Sequence, residues 1–121
     1  MTNPDAPRPV RVLVCGGRTY ANGPVVLTEL ARLCPIEAVA HGGAAGADTL
    51  ANEVALAMTC PVTVYPAQWS KYGRKAGPIR NRAMLDDFKP DVVLAFPGGR
   101  GTADMVRVAR AAGVRVVEIE T

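Results

Sequence analysis

Residues 97–102, Pro97-Gly98-Gly99-Arg100-Gly101-Thr102, join an apolar run (residues 92–96) to an amphipathic one (residues 103–112). Glycines between a strand and a helix bring open backbone N–H groups and the positive end of the helix dipole to one point. No Cβ then keeps an anion at a distance. The chemistry such a stretch serves is phosphate binding. Two earlier stretches repeat the grammar after short apolar runs: Cys15-Gly16-Gly17-Arg18 and His41-Gly42-Gly43-Ala44-Ala45-Gly46. Three loops of this kind predict one shared pocket for a nucleotide or another phosphate-bearing ligand.

Charged and aromatic residues cluster in the same parts of the chain. Arg18 and Arg100 sit inside two of the glycine stretches. No Asp or Glu occurs in residues 54–85, where Lys71, Arg74, Lys75, Arg80 and Arg82 fall. As a set these cations point to an anionic ligand, although each alone is what a solvated surface carries. Asp48 follows the second glycine stretch. It is either a first-turn carboxylate favoured by the helix dipole or an acceptor for a ribose hydroxyl or a base. Trp69 and Tyr72, among the basic residues, suit stacking on a base. Trp69 reads rather as the anchor of its loop and Tyr72 as the ligand contact. Arg80 has no acidic neighbour in the chain and, with Asn81, is expected to face the ligand. Arg82 and Asp86 have the spacing of an ordinary helix ion pair.

Other chemistries lack their residues. GxGxxG is absent and no acidic residue closes the second strand, against a dinucleotide bound in the dehydrogenase manner. GxxxxGK[ST] is absent as well. His41 is the single histidine, which excludes a multi-histidine metal site, and it reads as a packing or hydrogen-bonding residue. Ser70 has no base partner in view, and Cys15, at a strand end, reads as buried and inert. No metal and no cofactor are expected.

The elements that must carry these residues follow from periodicity. Strands are expected at residues 10–15, 37–40, 62–65, 92–96 and 114–119, and helices at 25–33, 47–58, 79–88 and 103–112. Asn22-Gly23-Pro24 marks the first helix start, Pro35 stops that helix, and Gly113 ends the last one. Residues 67–77, polar, aromatic and basic, read as an ordered loop with a short helical turn. Strands alternating with helices make an α/β protein with a doubly wound parallel five-stranded sheet, order 3-2-1-4-5. Ligands of such sheets bind at the carboxyl ends of the strands, where the winding reverses. Here that is the gap between strands one and four, flanked by two of the three glycine stretches.

Bulk properties agree. A chain of 121 residues that is 49% apolar suits one domain, residues 10–121, behind a polar, proline-bearing tail, residues 1–9. No apolar run approaches the ~18–20 residues of a membrane span, and no secretory signal is visible. Cys15, Cys34 and Cys60 are odd in number and widely spaced, which argues for a reducing, cytoplasmic setting. The net charge of +3 is mild.

The quoted residues, taken together, resemble the YspA-type SLOG family. They are Gly16-Gly17-Arg18 with Tyr20, the stretch from His41 to Asp48, Tyr65-Pro66-Ala67 with Trp69, Gly77 with Arg80-Asn81 and Met84, and the stretch from Phe96 to Ala103. The superfamily includes the DNA-processing protein DprA and the "lonely guy" phosphoribohydrolases, and the resemblance covers residues 10–119. It implies a Rossmann-like fold that binds nucleotides or nucleotide-derived ligands, and relatives that are often dimers or larger. The phosphoribohydrolase motif is similar to PGGxGTxxE, with a catalytic glutamate and an arginine on the preceding helix. Here the phosphate part is present, Arg80 takes the arginine position, and the glutamate position is Met105. Met105, Val108, Ala109 and Ala112 fall on one apolar stripe, so Met105 reads as core. Asp104, about 100° around the helix, and Asp48 remain as carboxylates.

The expected function is thus a cytoplasmic binder of a nucleotide-derived small molecule, a sensor or sequestering module. Gly98, Gly99, Arg100, Gly101 and Thr102, after Pro97, would hold phosphate, and Gly16, Gly17 and Arg18 the opposite wall. Gly42, Gly43 and Asp48 would meet ribose or a second phosphate, and Arg80, Asn81 and Tyr72 would cover the ligand. The alternative is an N-glycosidase using Arg80 with Asp104 or Asp48. A further alternative is single-stranded nucleic-acid binding through Lys71, Arg74 and Lys75. The aromatic loop and the alanine-rich helices are hints of a homodimer or higher oligomer.

Overall fold

The computed structural model describes residues 8–121, so the expected tail lies outside the described residues except for Arg8 and Pro9. Its elements are β1 (Val10–Cys15), α1 (Gly23–Arg32), β2 (Ile36–His41), α2 (Ala47–Ala57), β3 (Val62–Val64), α3 (Trp69–Tyr72), a 3-10 turn (Gly73–Lys75), α4 (Ala76–Phe88), β4 (Val92–Ala95), α5 (Arg100–Ala111) and β5 (Arg115–Glu118). The strands form one parallel sheet in the order β3-β2-β1-β4-β5. This is the order expected from the alternation of apolar runs.

Period-two alternation sends neighbouring strand residues to opposite faces. Val12, Val14, Val39, Val92, Leu94 and Phe96 meet Val26 and Leu30 of α1 and Ala47, Ala51 and Ala55 of α2. Leu13, Cys15, Ala40, Val93 and Ala95 meet Met84, Leu85 and Phe88 of α4 and Met105, Val106, Val108 and Ala109 of α5. β1 and β4 therefore read as near-continuous apolar runs, as strands covered on both faces do. The alanine stripe brings α2 close to the sheet, leaving Leu50, Val54 and Met58 only partly buried at its sides.

Three boundaries differ from the periodicity in ways that matter for the site. α5 begins at Arg100, ahead of the expected residue 103, so Arg100, Gly101 and Thr102 form its first turn. Glycine's low helix propensity hides that turn in the sequence, but Asn81 Nδ2 on α4 donates to Gly101 O (3.1 Å) and holds it. α4 begins at Ala76, three residues before Ile79, and the aromatic-basic loop is mostly ordered helical turn. On α5 the buried stripe is Met105, Val106, Val108 and Ala109, while Ala112 is exposed as the C-cap. Arg82 and Asp86 do not form the expected ion pair within 4.0 Å. Both side chains are exposed, where such a pair gains little over hydration.

Among the described residues no helix is long and apolar enough to cross a membrane. Cys15, Cys34 and Cys60 are all free thiols.

Candidate functional site

The carboxyl ends of β1, β2 and β4 open into one crevice of about 1230 Å³. The β1 exit is stitched to both neighbours. Gly17 N donates to Pro97 O (2.9 Å), and Gly17 O accepts from Ala47 N (3.1 Å) and Tyr20 N (3.2 Å). Tyr20 then packs on Phe96, ring centroids 5.1 Å apart. This close approach is what most of the loop glycines serve. A Cβ on Gly16 would meet Ala47 Cβ at 2.5 Å, and one on Gly98 would meet Thr102 Oγ1 at 2.2 Å. A Cβ on Gly46, at φ +77°, would meet Gly17 O at 2.2 Å. Gly42 is bare because Arg80 lies against it, Nη1 2.0 Å from where its Cβ would stand.

Gly99 and Gly101 are different: a Cβ on either would meet, beyond its own stretch of chain, no atom of the described residues within 4 Å. Both border the crevice. No side chain caps α5, and its first intrahelical bond from outside the helix is Ala103 N to Gly99 O (3.0 Å). The amides of Gly98, Gly99, Arg100, Gly101 and Thr102 thus have no acceptor among the described residues. Arg100 and Arg18 are exposed at the rim, and Arg74 joins them in the lining. The result is an unpaired positive helix end among cations.

Two carboxylates border the crevice. Both oxygens of Asp104 are engaged, Oδ2 by Asn81 Nδ2 (3.0 Å) and Oδ1 by Arg107 Nη2 (2.9 Å). Asp48 is buried. Its Oδ2 accepts from Gly42 N (3.1 Å) and Ala44 N (3.2 Å). Burial raises the Asp48 pKa, opposed by the Ala44 amide, His41, Arg80 and the Gly42 amide. Met105 is wholly buried in the α4–α5 core. Cys15, beneath the crevice, has its thiol pushed up to about 12, first by burial and then by Asp48, as an inert thiol should.

Arg80 proves to be a tie between elements. Nη1 donates to Gly42 O (2.9 Å) and Tyr65 O (3.1 Å), and Nε to Asn81 Oδ1 (3.0 Å). Desolvation lowers its pKa, while Asp48 raises it. Nη2 alone has no hydrogen bond among the described residues. His41, expected to pack or to hydrogen-bond, is buried and hydrogen-bonded. Nδ1 accepts from Gly43 N (3.0 Å), leaving Nε2 to donate to Asn52 Oδ1 (2.9 Å).

Most of the residues singled out in the sequence border this crevice: Gly16, Gly17, Arg18, Gly42, Asp48, Arg80, Asn81, Asp104 and residues 97–102. Gly43 and Tyr72 do not. Tyr72 faces a neighbouring depression of about 480 Å³, shared with Val64, Pro66 and Ile79. Trp69 takes the crevice position instead, half exposed, with Arg18 5.8 Å over its ring. Gly77 makes room for it, 3.4 Å from Trp69 Cη2 to where a Cβ would stand. Arg74 carried a signal only as part of a basic cluster, and nothing in its local sequence aims it at the crevice.

The model of the YspA, cpYpsA-related SLOG family (YAcAr) matches residues 10–72, more than half of the chain. The chain belongs to this SLOG family. It is also 37% identical over 118 residues to the Gene 61 protein of Mycobacterium phage D29, covering 88% of this chain and 94% of that protein. Among solved structures, this SLOG chain is similar to a UDP-N-acetylglucosamine 2-epimerase (TM-score 0.57, 20% identity, 94% of this chain and 34% of the epimerase). It is also similar to MurG of Acinetobacter baumannii (TM-score 0.55, 13% identity, 91% of this chain and 35% of MurG). The chain spans about a third of each of these two proteins, and the likeness is one of Rossmann-like fold.

Proposed function

We propose that this SLOG chain binds a nucleotide or nucleotide-derived ligand, as a sensor or sequestering module, with a phosphate on the first turn of α5. The observation that carries the reading is the open amide set of residues 98–102, which includes Gly99 and Gly101, whose lack of a side chain no packed neighbour among the described residues requires. Backbone N–H groups at a helix start, with Arg18, Arg74 and Arg100 nearby, suit a phosphate and need no base-specific contact. Trp69 at the rim supplies a surface on which a base can stack. Membership of the SLOG family supports a nucleotide-related ligand. Binding without turnover fits the engaged oxygens of Asp104 and the position of Met105 in the core.

The first test is native mass spectrometry of freshly purified protein, with identification of any small molecule released on denaturation. A co-purifying nucleotide derivative supports the reading. Calorimetry with that ligand should then show at least a tenfold loss for Gly99→Asp, which sets a carboxylate where the phosphate would sit, on a Cβ that has open space. An unchanged affinity for G99D would remove the phosphate from this loop. Release of free base from a nucleotide panel would move the chain to the glycosidases. Steeply salt-dependent binding of single strands, with no mononucleotide affinity, would point instead to Lys71, Arg74 and Lys75.

A further inference from the structure

Asp48 has one carboxylate oxygen engaged and one left over. The residue is 5% exposed. Oδ2 takes both backbone amides, of Gly42 and Ala44, while Oδ1 has no hydrogen bond among the described residues. No Lys, Arg or His nitrogen among the described residues lies within 4.0 Å of it. Arg80, which lines the same crevice, has Nη1 and Nε turned to Gly42 O, Tyr65 O and Asn81 Oδ1. Among the described residues no fully enclosed side-chain oxygen or nitrogen lacks a partner. Oδ1 therefore keeps open surface, and Asp48 forms part of the crevice wall.

A nearly buried carboxylate oxygen is costly unless a donor meets it. Water can supply one in the free protein, but a ligand that displaces the water must bring a donor of its own. A fully ionised phosphate could not, because it carries only acceptors and like charge. The crevice thus has two unlike ends: open amides at α5 and an open acceptor at α2.

We propose that Asp48 sets ligand specificity, its Oδ1 receiving an O–H or N–H donor from the sugar or base and its charge excluding a second phosphate from the α2 side. This rests on the phosphate seat at α5 proposed above. The ligand lies with phosphate over Gly99–Gly101 and its donor group toward Gly42. The donor is a ribose hydroxyl or an exocyclic amine, which share this chemistry.

The test is calorimetry on the full chain with AMP, 2′-deoxy-AMP, 3′-deoxy-AMP, IMP and pyrophosphate, for wild type, Asp48→Asn and Gly99→Asp. Asparagine keeps an oxygen for the Gly42 and Ala44 amides and turns the crevice-facing acceptor into a donor. Wild type should prefer AMP by about tenfold over the analogue that lacks the donor, the worth of one hydrogen bond to a charged acceptor. Loss with a deoxy sugar assigns a hydroxyl, and loss with IMP assigns the amine. D48N should erase that preference and bind pyrophosphate more tightly than wild type does. Opposite signs on two probes cannot come from a misfolded variant. Equal affinity of wild type for AMP and all three analogues overturns the proposal, as does pyrophosphate binding tighter than AMP, or D48N weakening both probes alike. Absence of any phosphate binding by wild type, or binding that G99D leaves intact, overturns the α5 seat and this inference with it.

Discussion

Beyond their own stretch of chain, Gly99 and Gly101 have no neighbour among the described residues to explain them, and at residue scale this separates them from Gly16, Gly46 and Gly98. Gly101 lies within α5, so Gly101→Ala should raise stability by about 0.5–1 kcal/mol while weakening phosphate binding. A urea melt beside a titration followed by the fluorescence of Trp69, the single tryptophan, would show the two effects in opposite directions. Gly46→Ala should behave otherwise: positive φ and the Gly17 carbonyl 2.2 Å away make it destabilising by about 1–3 kcal/mol, read in the same melt. Asp48 has a pH signature. Burial raises its pKa in the folded chain, so its contribution to stability is fully present below the unfolded carboxylate range and is lost as pH rises through the folded value. His41, Arg80 and the amides of Gly42 and Ala44 oppose the shift without reversing it. D48N lacks the titration, so its melting temperature should gain on wild type as pH rises upward from the ordinary Asp value of 3.8. A constant gap across that range would mean that burial does not govern this carboxylate.

At the scale of elements, α4 is the brace of the site. Asn81 is buried, and its Nδ2 reaches both Gly101 O and Asp104 Oδ2, while its Oδ1 steadies Arg80. Through these contacts α4 holds the first turn of α5 and the β2 exit loop in one arrangement. Asn81→Ala should cost about 1–3 kcal/mol, the scale of losing buried hydrogen bonds. It should also speed amide hydrogen exchange selectively in residues 100–104, with β1 unaffected. Uniform acceleration would assign Asn81 to global stability alone. The sequence showed Arg80-Asn81 as a polar pair near a helix start but not their targets, because most of those are backbone carbonyls on other elements, Gly42 O, Tyr65 O and Gly101 O. A carbonyl carries no side-chain identity for a sequence to display. Trp69 and Tyr72 exchanged their expected places for a similar reason. Arg18, from the β1 exit, reaches Trp69, while Tyr72 lies with Val64 and Ile79 beside β3.

At the scale of the whole molecule, Met105 shows why a family motif does not carry its chemistry everywhere. It stands where the phosphoribohydrolase pattern has glutamate, and it is wholly buried with Met84, Val93 and Val108. Met105→Glu should destabilise by about 3–5 kcal/mol through an uncompensated buried charge and confer no release of base from AMP. A stable M105E with glycosidase activity would overturn this placement. The sheet order, the two helical layers and the gathering of three glycine stretches at one end were determined by the sequence alone. Apolar periodicity and strand–helix alternation leave few ways to bury these faces, and parallel crossovers put every β-to-α turn at the same edge. Only the tertiary structure decided which polar groups are used up and which stay open. It ties Arg80 and Asn81 to carbonyls, fills both oxygens of Asp104, and leaves Asp48 Oδ1 and the amides of residues 98–102 without partners among the described residues. The ties of Arg80 and Asn81 turn on ångström-scale approaches between segments distant in the chain, which side-chain type and spacing do not encode.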